Sequence, residues 1–448
     1  MAGVTDVQRG FTRELLDTSI ASSNEPSWLK DWRQQAWHIF EETPWPNSRT
    51  DEEWRRTNIM GTIRFDRFAV TRGPISPLPS GAPLLFHRAQ ANTTGPVLLT
   101  SNGNVIGSRT YASEYHDICS SLSEAATRPD AIVQRYLGQQ AVPSTFSKFA
   151  AMNAAFWQAG ACIWIPRFVE LHEPIHILHW LDCDDLALLP RNLIVVEDGA
   201  EATVIEAIAS PDGVTALAQP VTEIYLGRGA RLRYINVQQL GRASYHVGIQ
   251  RAILEANSSL LSVTVTLGSR WHKSNVDMLL AGEGAETEML GVAFADGTQF
   301  MDHHTFQDHI MPGAKSDLLF KSVLNDHART VWTGMIRVHP NAQRTDAYQA
   351  NRNLLLSRNA RADSIPGLEI GANEVRCTHG ATAGPLDDEQ VFYLMARGLS
   401  QAAAVRLLVN GFFEPLLQRI PSSELRDELG AIIAQRVEDT LALQPLQG

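Results

Sequence analysis

The middle of the chain, from about residue 161 to residue 375, alternates apolar and polar residues over short segments and shows almost no helical period. The clearest run extends from Leu261 to Leu267, where apolar residues at odd positions flank Ser262, Thr264 and Thr266. This period of two is typical of a strand with one buried face. The fold must therefore hide the edges of roughly 200 residues of strand, which a sandwich, a barrel or a solenoid can do.

Small residues punctuate this region at intervals near 27–30 residues, at Gly199, Gly229 and Gly284, with Ala256-Asn257 in a comparable place. The dipeptides Asn-Gly and Asp-Gly, which mark tight hairpins, are scarce. A near-regular repeat with few hairpins favours rungs that stack on their neighbours. The pattern therefore predicts a mainly β fold built on a right-handed parallel β-helix, with a β-sandwich as the alternative.

Helical sequence flanks the strand-rich middle on both sides. Residues 1–80 carry tryptophans and other apolar residues near helical spacing and are predicted to form an N-terminal helical domain. Residues 81–384 are the predicted β-helix core, with a helical insertion at about 112–160. Residues 385–448 are predicted to form a C-terminal helical domain.

The C-terminal region carries clear signals for helix starts and stops. Asp387 and Ser400 are predicted N-caps, and Gly398 is a predicted C-terminal stop. Pro415 is expected to bend or break the second helix near residues 411–414.

An apolar stripe at helical spacing runs along that second helix and includes Leu408, Phe412 and Phe413. Such stripes usually belong to a core. On a small domain at the end of a solenoid, the stripe is alternatively a surface for a partner.

Charge and cysteine usage limit the partners and the compartment. The 448-residue chain has 38 basic and 49 acidic residues, a net charge of −11, which argues against nucleic acid or an anionic membrane as partner. Its four cysteines are widely spaced without a Cys-x-x-Cys pair, which fits a reducing compartment. Neither a secretory signal nor an 18-residue apolar run is visible, so we expect a cytoplasmic protein without a membrane span.

Motifs for nucleotide and metal chemistry are weak. The sequence has no GxxxxGK[ST] loop, no GxGxxG motif after a strand and no GxSxG elbow, so any nucleotide used is expected on a partner. The segment Asp302-His303-His304-(x4)-His309 has the composition of a metal site, but adjacent histidines of a strand point to opposite faces. A metalloprotein built on this segment and a carbohydrate-active β-helix enzyme are the alternatives, although the acidic residues are scattered.

The segment from Pro366 to Gly384, where the strand-rich middle meets the helical tail, places Glu374, Cys377 and His379 within six residues. In a strand, Cys377 and His379 point the same way, and Glu374 lies one residue off that face. A thiolate beside an imidazole suits iron, zinc or copper, or activated-thiol chemistry. The ordinary alternative is a small buried cysteine and a hydrogen-bonded histidine without a role.

The same segment belongs to a block of sequence that resembles the SufD family, the scaffold subunits of the SUF iron–sulfur cluster assembly machinery. The matching text is Asn351-Arg-Asn-Leu-Leu-Leu-Ser357, Pro366-x-Leu-Glu-Ile370, Val375-Arg-Cys-Thr-His-Gly-Ala-Thr382 and Leu386-Asp-Asp-Glu-Gln-Val-Phe-Tyr-Leu394. Upstream, Asn153-Ala-Ala-Phe-Trp157 is also similar, so the resemblance extends over nearly the whole length.

The resemblance implies a scaffold without catalysis of its own. Such a chain pairs with a SufB-like β-helix subunit, or with a second copy when alone, and its C-terminal helices bind a SufC-like ABC ATPase. The lone chain then holds no stable cofactor, ATP belongs to the ATPase, and a nascent iron–sulfur cluster forms at the seam between subunits. His379 is the implied functional and metal-binding residue, with Cys377 beside it and Glu374 third, and the implied partner-binding residues are Arg397, Leu408, Phe412 and Phe413.

The paralogous SufB type is the nearest competitor. SufB-like chains have glutamate-histidine-glutamate-alanine-threonine where this chain has Thr378-His-Gly-Ala-Thr382, and they carry extra cysteines in the β-helix. Only Cys162 and Cys183 lie in the middle region here. The sequence therefore favours the SufD type.

Overall fold

The computed structural model describes residues 9–91, 95–109, 118–129, 132–421 and 423–442. Parts of the predicted regions lie outside these residues: 1–8 of the N-terminal domain, 92–94 and 110–111 of the β-helix core, 112–117 and 130–131 of its helical insertion, and 422 and 443–448 of the tail. The described residues form a long run of strands between two helical regions.

The strands alternate between two sheets as the chain advances. They are β1 Val97–Ser101, β2 Asn104–Arg109, β3 Cys119–Ser121, β4 Ala161–Ile165, β5 Ile175–Trp180, β6 Ala187–Leu188, β7 Arg191–Val196, β8 Glu201–Ala209, β9 Leu217–Ala218, β10 Val221–Leu226, β11 Arg231–Gln239, β12 Tyr245–Leu254, β13 Ser259–Thr266, β14 Trp271–Leu280, β15 Glu286–Ala295, β16 Phe300–His309, β17 Lys315–Leu324, β18 Arg329–Val338, β19 Asp346–Leu355, β20 Arg361–Ile370 and β21 Arg376–Pro385.

From β10 onward, each turn of the chain adds one strand to each sheet. The first sheet has the order β2-β1-β5-β8-β11-β13-β15-β17-β19-β21, and the second has the order β20-β18-β16-β14-β12-β10-β7-β4-β3. Outside this order, the short strand β9 also pairs with β12, and β6 pairs with β9. Pairing is parallel throughout, except for the antiparallel pairs β1–β2 and β3–β4. The result is a parallel β-solenoid of about eight turns, which confirms the predicted β-helix and excludes the sandwich.

The helices lie before, within and after the first strands and at the end of the chain. They are α1 Arg13–Ser22, α2 Ser27–Glu42, α3 Leu84–Ala91, α4 Leu122–Ala125, α5 Ile132–Tyr136, α6 Lys148–Phe156, α7 Asp388–Ala396, α8 Gln401–Leu417 and α9 Ser423–Ala442. Short 3-10 turns occur at Glu52–Trp54, Phe65–Arg67 and Ser144–Phe146.

The two helical regions cover opposite outer faces of the solenoid. On the second sheet, a cluster of buried apolar side chains joins α2 and α6 to the strands through Trp37, Phe149, Phe156, Tyr225 and Ile249. On the first sheet, α8 and α9 pack through Val409, Phe413, Ile433, Val265 and Phe294. Each fully buried side chain of this size contributes roughly 1.5–3 kcal/mol, so both helical regions are firmly attached.

The predicted caps of the tail are present. Asp387 accepts hydrogen bonds from the backbone N–H groups of Glu389 and Gln390, and Ser400 accepts one from Ala403. Gly398 follows the C-cap of α7 at φ +94°, a left-handed conformation that favours glycine.

Pro415 does not break the second helix, because α8 runs without interruption from Gln401 to Leu417, so of the predicted bend or break only the bend is left as a prediction. Pro415 lies in the last turn, so the helix loses only one interior hydrogen bond there. Leu416 and Leu417 are buried against the solenoid on the far side of the proline, and this packing holds the final turn in place.

Candidate functional site

The last two strands leave one end of the solenoid open. Strand β20 pairs only with β18, and β21 pairs only with β19, so each has a free edge with respect to the described residues. Both strands are ten residues long and have no buried residue. At the other end the sheets finish with the antiparallel strands β2 and β3. Free edges of this length are templates for pairing with another chain.

The backbone hydrogen bonds identify which groups point out of the open edge. The Arg376 N–H donates to the carbonyl of Thr345, just before β19, and the Leu386 N–H donates to the carbonyl of Leu355, the last residue of β19. Even-numbered residues of β21 therefore direct their backbone N–H groups toward β19. Alternate residues of a parallel strand point their N–H and C=O groups to opposite sides. The N–H groups of Cys377, His379 and Ala381 therefore face the free edge.

Strand β20 carries a proline on its free edge. Because Arg361 and Gly371 donate to the β18 side, even-numbered residues of β20 point their nitrogens outward, and Pro366 is one of them. A proline is tolerated at such a position because its missing N–H leaves no gap in the existing ladder. It also interrupts the row of free donors, so β21 offers the more regular edge.

Cys377 and His379 share one face of β21, as the alternation predicted. Cys377 is in register with Ala347, and His379 is in register with Gln349. Both of these β19 residues are buried inside the solenoid. The thiol and the imidazole therefore lie on the inward face of the terminal rung, where Cys377 is half-buried and His379 is exposed.

The thiol of Cys377 is held in its protonated form. It packs beside an apolar group that includes Val338 and Ala347. Burial, and then the nearby carboxylate of Asp346, raise the pKa of Cys377, while a hydrogen bond from the backbone of Ala347 opposes them. In the lone chain the sulfur is thus not an activated nucleophile, and it must lose a proton before it binds a metal.

The position of Glu374 differs from the expectation for a regular strand. Strand β21 begins only at Arg376, so Glu374 lies in the exposed loop before it. Its backbone N–H donates to the Gln343 side chain, and its carbonyl accepts from the Arg344 N–H. Its side chain is therefore outside the face that Cys377 and His379 share.

A network of amide and hydroxyl groups fixes the last rung from inside. The Asn353 side chain donates to the Asn351 side chain at 2.6 Å and to the carbonyl of Thr382 at 3.1 Å. Ser364 donates to Asn351 at 2.6 Å. The network joins β19, β20 and β21, and sequence reasoning did not assign it a role, although Asn351 and Asn353 lie in the motif block.

The predicted partner-binding residues lie in different environments. Phe413 is fully buried in the core against the first sheet, and Leu408 and Phe412 are partly buried at its border. Arg397 is exposed, and its guanidinium lies 5.1 Å from the centre of the Tyr393 ring.

An exposed apolar surface on α7 and its neighbourhood was missed by the sequence reasoning. We call it the α7 patch, and its members, with exposed fractions, are Phe392 at 73%, Tyr393 at 57%, Met395 at 43%, Leu399 at 37% and Leu407 at 52%. Val391 and Leu394 turn toward the core instead. The run of consecutive apolar residues from Val391 to Met395 could have revealed this patch, because one face of a helix cannot bury all of them.

The histidine-rich segment 302–309 is a structural network. Asp302 is fully buried on the outer side of β16, where Lys273 lies at 3.3 Å, His304 at 3.1 Å and the Thr57 hydroxyl donates to it. Burial opposes ionisation, but Lys273 and His304 together lower the pKa of Asp302 well below its usual value.

The neighbouring His303 points the opposite way, into the solenoid. It bonds to the Thr266 hydroxyl and lies 4.8 Å, ring to ring, from His272. Burial lowers its pKa to about 4, so it is neutral at pH 7. Within the described ranges no cluster of three histidine, cysteine or carboxylate side chains has the arrangement of a metal site.

Among the residues that the structure describes, no helix is long and apolar enough to cross a membrane.

Comparison with known proteins gives matches over nearly the whole chain. A family model for the SufBD core domain of SUF-system FeS cluster assembly matches residues 179–412, and a model of the SufBD N-terminal region matches residues 16–177. A Synechocystis protein described as an iron–sulfur cluster assembly SufBD family protein is 31% identical over 432 residues, which cover 94% of both chains. A Staphylococcus epidermidis protein of the same description is 25% identical over 453 residues, covering 97% of this chain and 94% of its own.

Proposed function

Because the chain belongs to the SufBD family of iron–sulfur cluster assembly proteins, we propose that it is a SufD-type scaffold subunit without catalysis of its own. The family models do not separate the SufB and SufD types. The SufD type is supported by Thr378-His-Gly-Ala-Thr382 and by the presence of only Cys162 and Cys183 as cysteines in the middle region.

The open end of the solenoid is the observation that carries this proposal. A SufB-like β-helix subunit adds its own terminal strands to the free edge of β21, continuing the sheet across two chains. Each new backbone hydrogen bond contributes roughly 0.5–1.5 kcal/mol to the stability of the pair. The paired strand is also no longer available as an edge for aggregation. A second copy of this chain offers the same edge when the partner is absent.

Pairing at this edge places the candidate ligands in the seam between the subunits. The iron–sulfur cluster is the cargo of the assembly, and sulfur and imidazole nitrogen are donors that suit iron. Cys377 and His379 share one face, and the adjacent Gln349 has a buried side-chain oxygen without a hydrogen-bond partner among the described residues. The residues present therefore fit a nascent cluster that needs at least one ligand from each side.

The α7 patch is the proposed contact for a SufC-like ABC ATPase. Its aromatic and aliphatic side chains are exposed, whereas the predicted anchor Phe413 is buried. The patch is joined to α8, which is attached to the solenoid by packing and by a hydrogen bond from Lys321 to the Phe412 carbonyl. Just after the end of α8, Arg419 pairs with Asp317 at 2.7 Å. Movement of a bound ATPase would thus be passed to the first sheet.

The proposed pairing at the free edge of β21 is tested by a proline substitution at a residue of β21 whose backbone N–H points to that edge. Ala381→Pro removes a donor from the free edge of β21 and leaves the β19–β21 ladder intact. We expect the wild-type chain to co-elute with a SufB-like subunit and an ABC ATPase in size-exclusion chromatography. The variant should fold but lose the SufB-like subunit while it retains the ATPase.

The matched control is Thr382→Pro, one residue away, whose N–H belongs to the internal ladder. This change should lower the melting temperature, because it breaks a hydrogen bond within the chain. If Ala381→Pro binds the SufB-like subunit as the wild type does, the proposed pairing edge is wrong.

A further inference from the structure

A cleft lies on the outer face of the second sheet, at the corner opposite the N-terminal segment. It has a volume of about 290 Å³ and lies between the N-terminal segment 56–62 and the corner where β14, β16 and β18 begin. Its walls are formed by Arg56, Thr57, Asn58, Thr62, Arg270, Trp271, Thr298, Phe300 and Arg329.

Stacking of the rungs builds one wall of this cleft. Trp271, Phe300 and Arg329 are in register on three adjacent strands, and the Phe300 N–H donates to the Arg270 carbonyl at 3.1 Å. Because neighbouring strands lie about 4.8 Å apart, the backbones of Trp271 and Arg329 are separated by about 10 Å. Arg270, just before β14, and Arg329, two strands away at the start of β18, therefore both line this cleft.

The N-terminal segment forms the opposite wall and is anchored to the same strands. The Thr57 hydroxyl donates to Asp302, and the Asn275 side chain donates to Glu53 at 3.0 Å. These contacts hold Arg56 and Asn58 over the corner of the solenoid. The cleft is thus fixed by the fold and does not depend on a loop alone.

The wall of the cleft contains three guanidinium groups and no carboxylate. Arg329 is paired with Asp363 at 2.6 Å, but Arg56 and Arg270 have no carboxylate partner within the described ranges. The chain as a whole has a net charge of −11. A local excess of unpaired positive charge is therefore contrary to the composition of the rest of the molecule.

The remaining polar groups of the cleft add donors. The side-chain oxygen of Asn58 already accepts the Gly61 N–H at 3.1 Å, so its amide NH₂ is the group left to bind a ligand. The Thr298 hydroxyl is exposed on the loop before β16. The nearly parallel rings of Trp271 and Phe300, 6.1 Å apart and inclined by 22°, provide an apolar floor that strengthens electrostatic attraction.

We propose that this cleft binds a small molecule that carries a phosphate group. Planar guanidinium groups match the oxygens of a phosphate with two parallel hydrogen bonds, and a doubly charged anion neutralises both unpaired arginines. The cleft volume of about 290 Å³ is near the lower limit for small-molecule sites, so the cleft has room only for a compact ligand. The cleft residues do not include β21, the proposed pairing strand, so the inference does not depend on the proposed subunit seam.

Isothermal titration calorimetry of the full chain with pyrophosphate at low ionic strength tests the proposal. We expect one saturable site, with affinity reduced at least tenfold by Arg56→Ala and by Arg270→Ala. Arg49→Ala is the matched control, because Arg49 is an exposed arginine of the same N-terminal region outside the cleft and its loss changes the net charge equally. This control should bind as the wild type does.

Two further arms make the result decisive. Arg270→Lys keeps the positive charge but loses the planar guanidinium that can donate two parallel hydrogen bonds. This variant should therefore bind pyrophosphate more weakly than the wild type and more tightly than Arg270→Ala does. Citrate, which presents carboxylates of similar charge, should bind less tightly than pyrophosphate. Absence of saturable binding, an equal loss in Arg49→Ala or tighter binding of citrate would overturn the proposal. Unchanged melting temperatures show that the variants are folded.

Discussion

Gln349 is next to His379 in the parallel register of β19 and β21, and the first is fully buried whereas the second is exposed. The Gln349 side-chain nitrogen donates to the Gly367 carbonyl at 3.0 Å, which ties the first sheet to β20. The interior of the solenoid therefore continues up to the strand that carries His379 and stops there. A chain that pairs with β21 would cover the imidazole.

The first prediction concerns His379. Because the side chain is exposed in the lone chain, His379→Ala should change the free energy of unfolding by less than about 0.5 kcal/mol. In a complex reconstituted with a SufB-like subunit and an ABC ATPase, the variant should abolish cluster formation, measured as bound iron, sulfide and visible absorbance. His172→Ala, which removes another largely exposed histidine, is the control. A full yield of cluster from His379→Ala would refute its role.

The second prediction separates core from surface in the tail. Phe413 is fully buried and Phe392 is 73% exposed. Phe413→Ala should therefore lower the free energy of unfolding by roughly 3–5 kcal/mol, while Phe392→Ala should lower it by less than about 0.5 kcal/mol. Urea unfolding followed by circular dichroism measures both values. Similar losses in the two variants would contradict the packing of α8 against the first sheet.

The third prediction assigns the ATPase contact to the α7 patch. Exposed aromatic side chains that become buried in an interface often dominate its affinity. Phe392→Ala should weaken binding of the ABC ATPase at least tenfold in a titration. Phe168 is 80% exposed on another part of the chain, so Phe168→Ala is a matched control that should bind normally. Equal binding by all three proteins would exclude the α7 patch as the contact.

The fourth prediction concerns acid stability. Burial lowers the pKa of His179 to about 4, whereas an unfolded histidine titrates near 6.5. Between these values the unfolded chain binds a proton that the folded chain does not, so stability falls as the pH decreases from about 6.5 to 4. The loss reaches about 3 kcal/mol for this residue. His179→Gln should show a smaller change in melting temperature between pH 7 and pH 4.5 than the wild type, and an identical change would contradict the assignment.

The fifth prediction concerns the thiol of Cys377. Burial and Asp346 raise its pKa, so the reactive thiolate is less populated at pH 8 than in an unstructured peptide. Alkylation by iodoacetamide, followed by mass spectrometry of the labelled peptide, should be slower than for the same protein in urea. Addition of the SufB-like subunit should slow it further. A rate in the native chain equal to that in urea would show that Cys377 is not held in the environment described here.

Much of the architecture was predictable from local sequence. Alternation around Val263, the near-regular spacing of small residues and the scarcity of hairpin turns favoured the solenoid over the sandwich, because a regular repeat without hairpins is built from rungs that stack on one another. The caps at Asp387 and Ser400 were equally local, since each is defined by a side chain and the N–H groups two or three residues later.

The functional surfaces depended on contacts that are distant in sequence. Alternation shows that Cys377 and His379 share a face, but only the pairing with β19 decides that this face is the interior. Likewise, helical period does not distinguish Phe413, which meets the first sheet, from Phe392, which meets solvent. Arg56, Arg270 and Arg329 are far apart along the chain and lie around one cleft only because rungs stack and the N-terminal segment docks on them. Sequence determines local geometry through short-range sterics and hydrogen bonds, whereas burial and charge at a site depend on which distant segments the whole fold brings together.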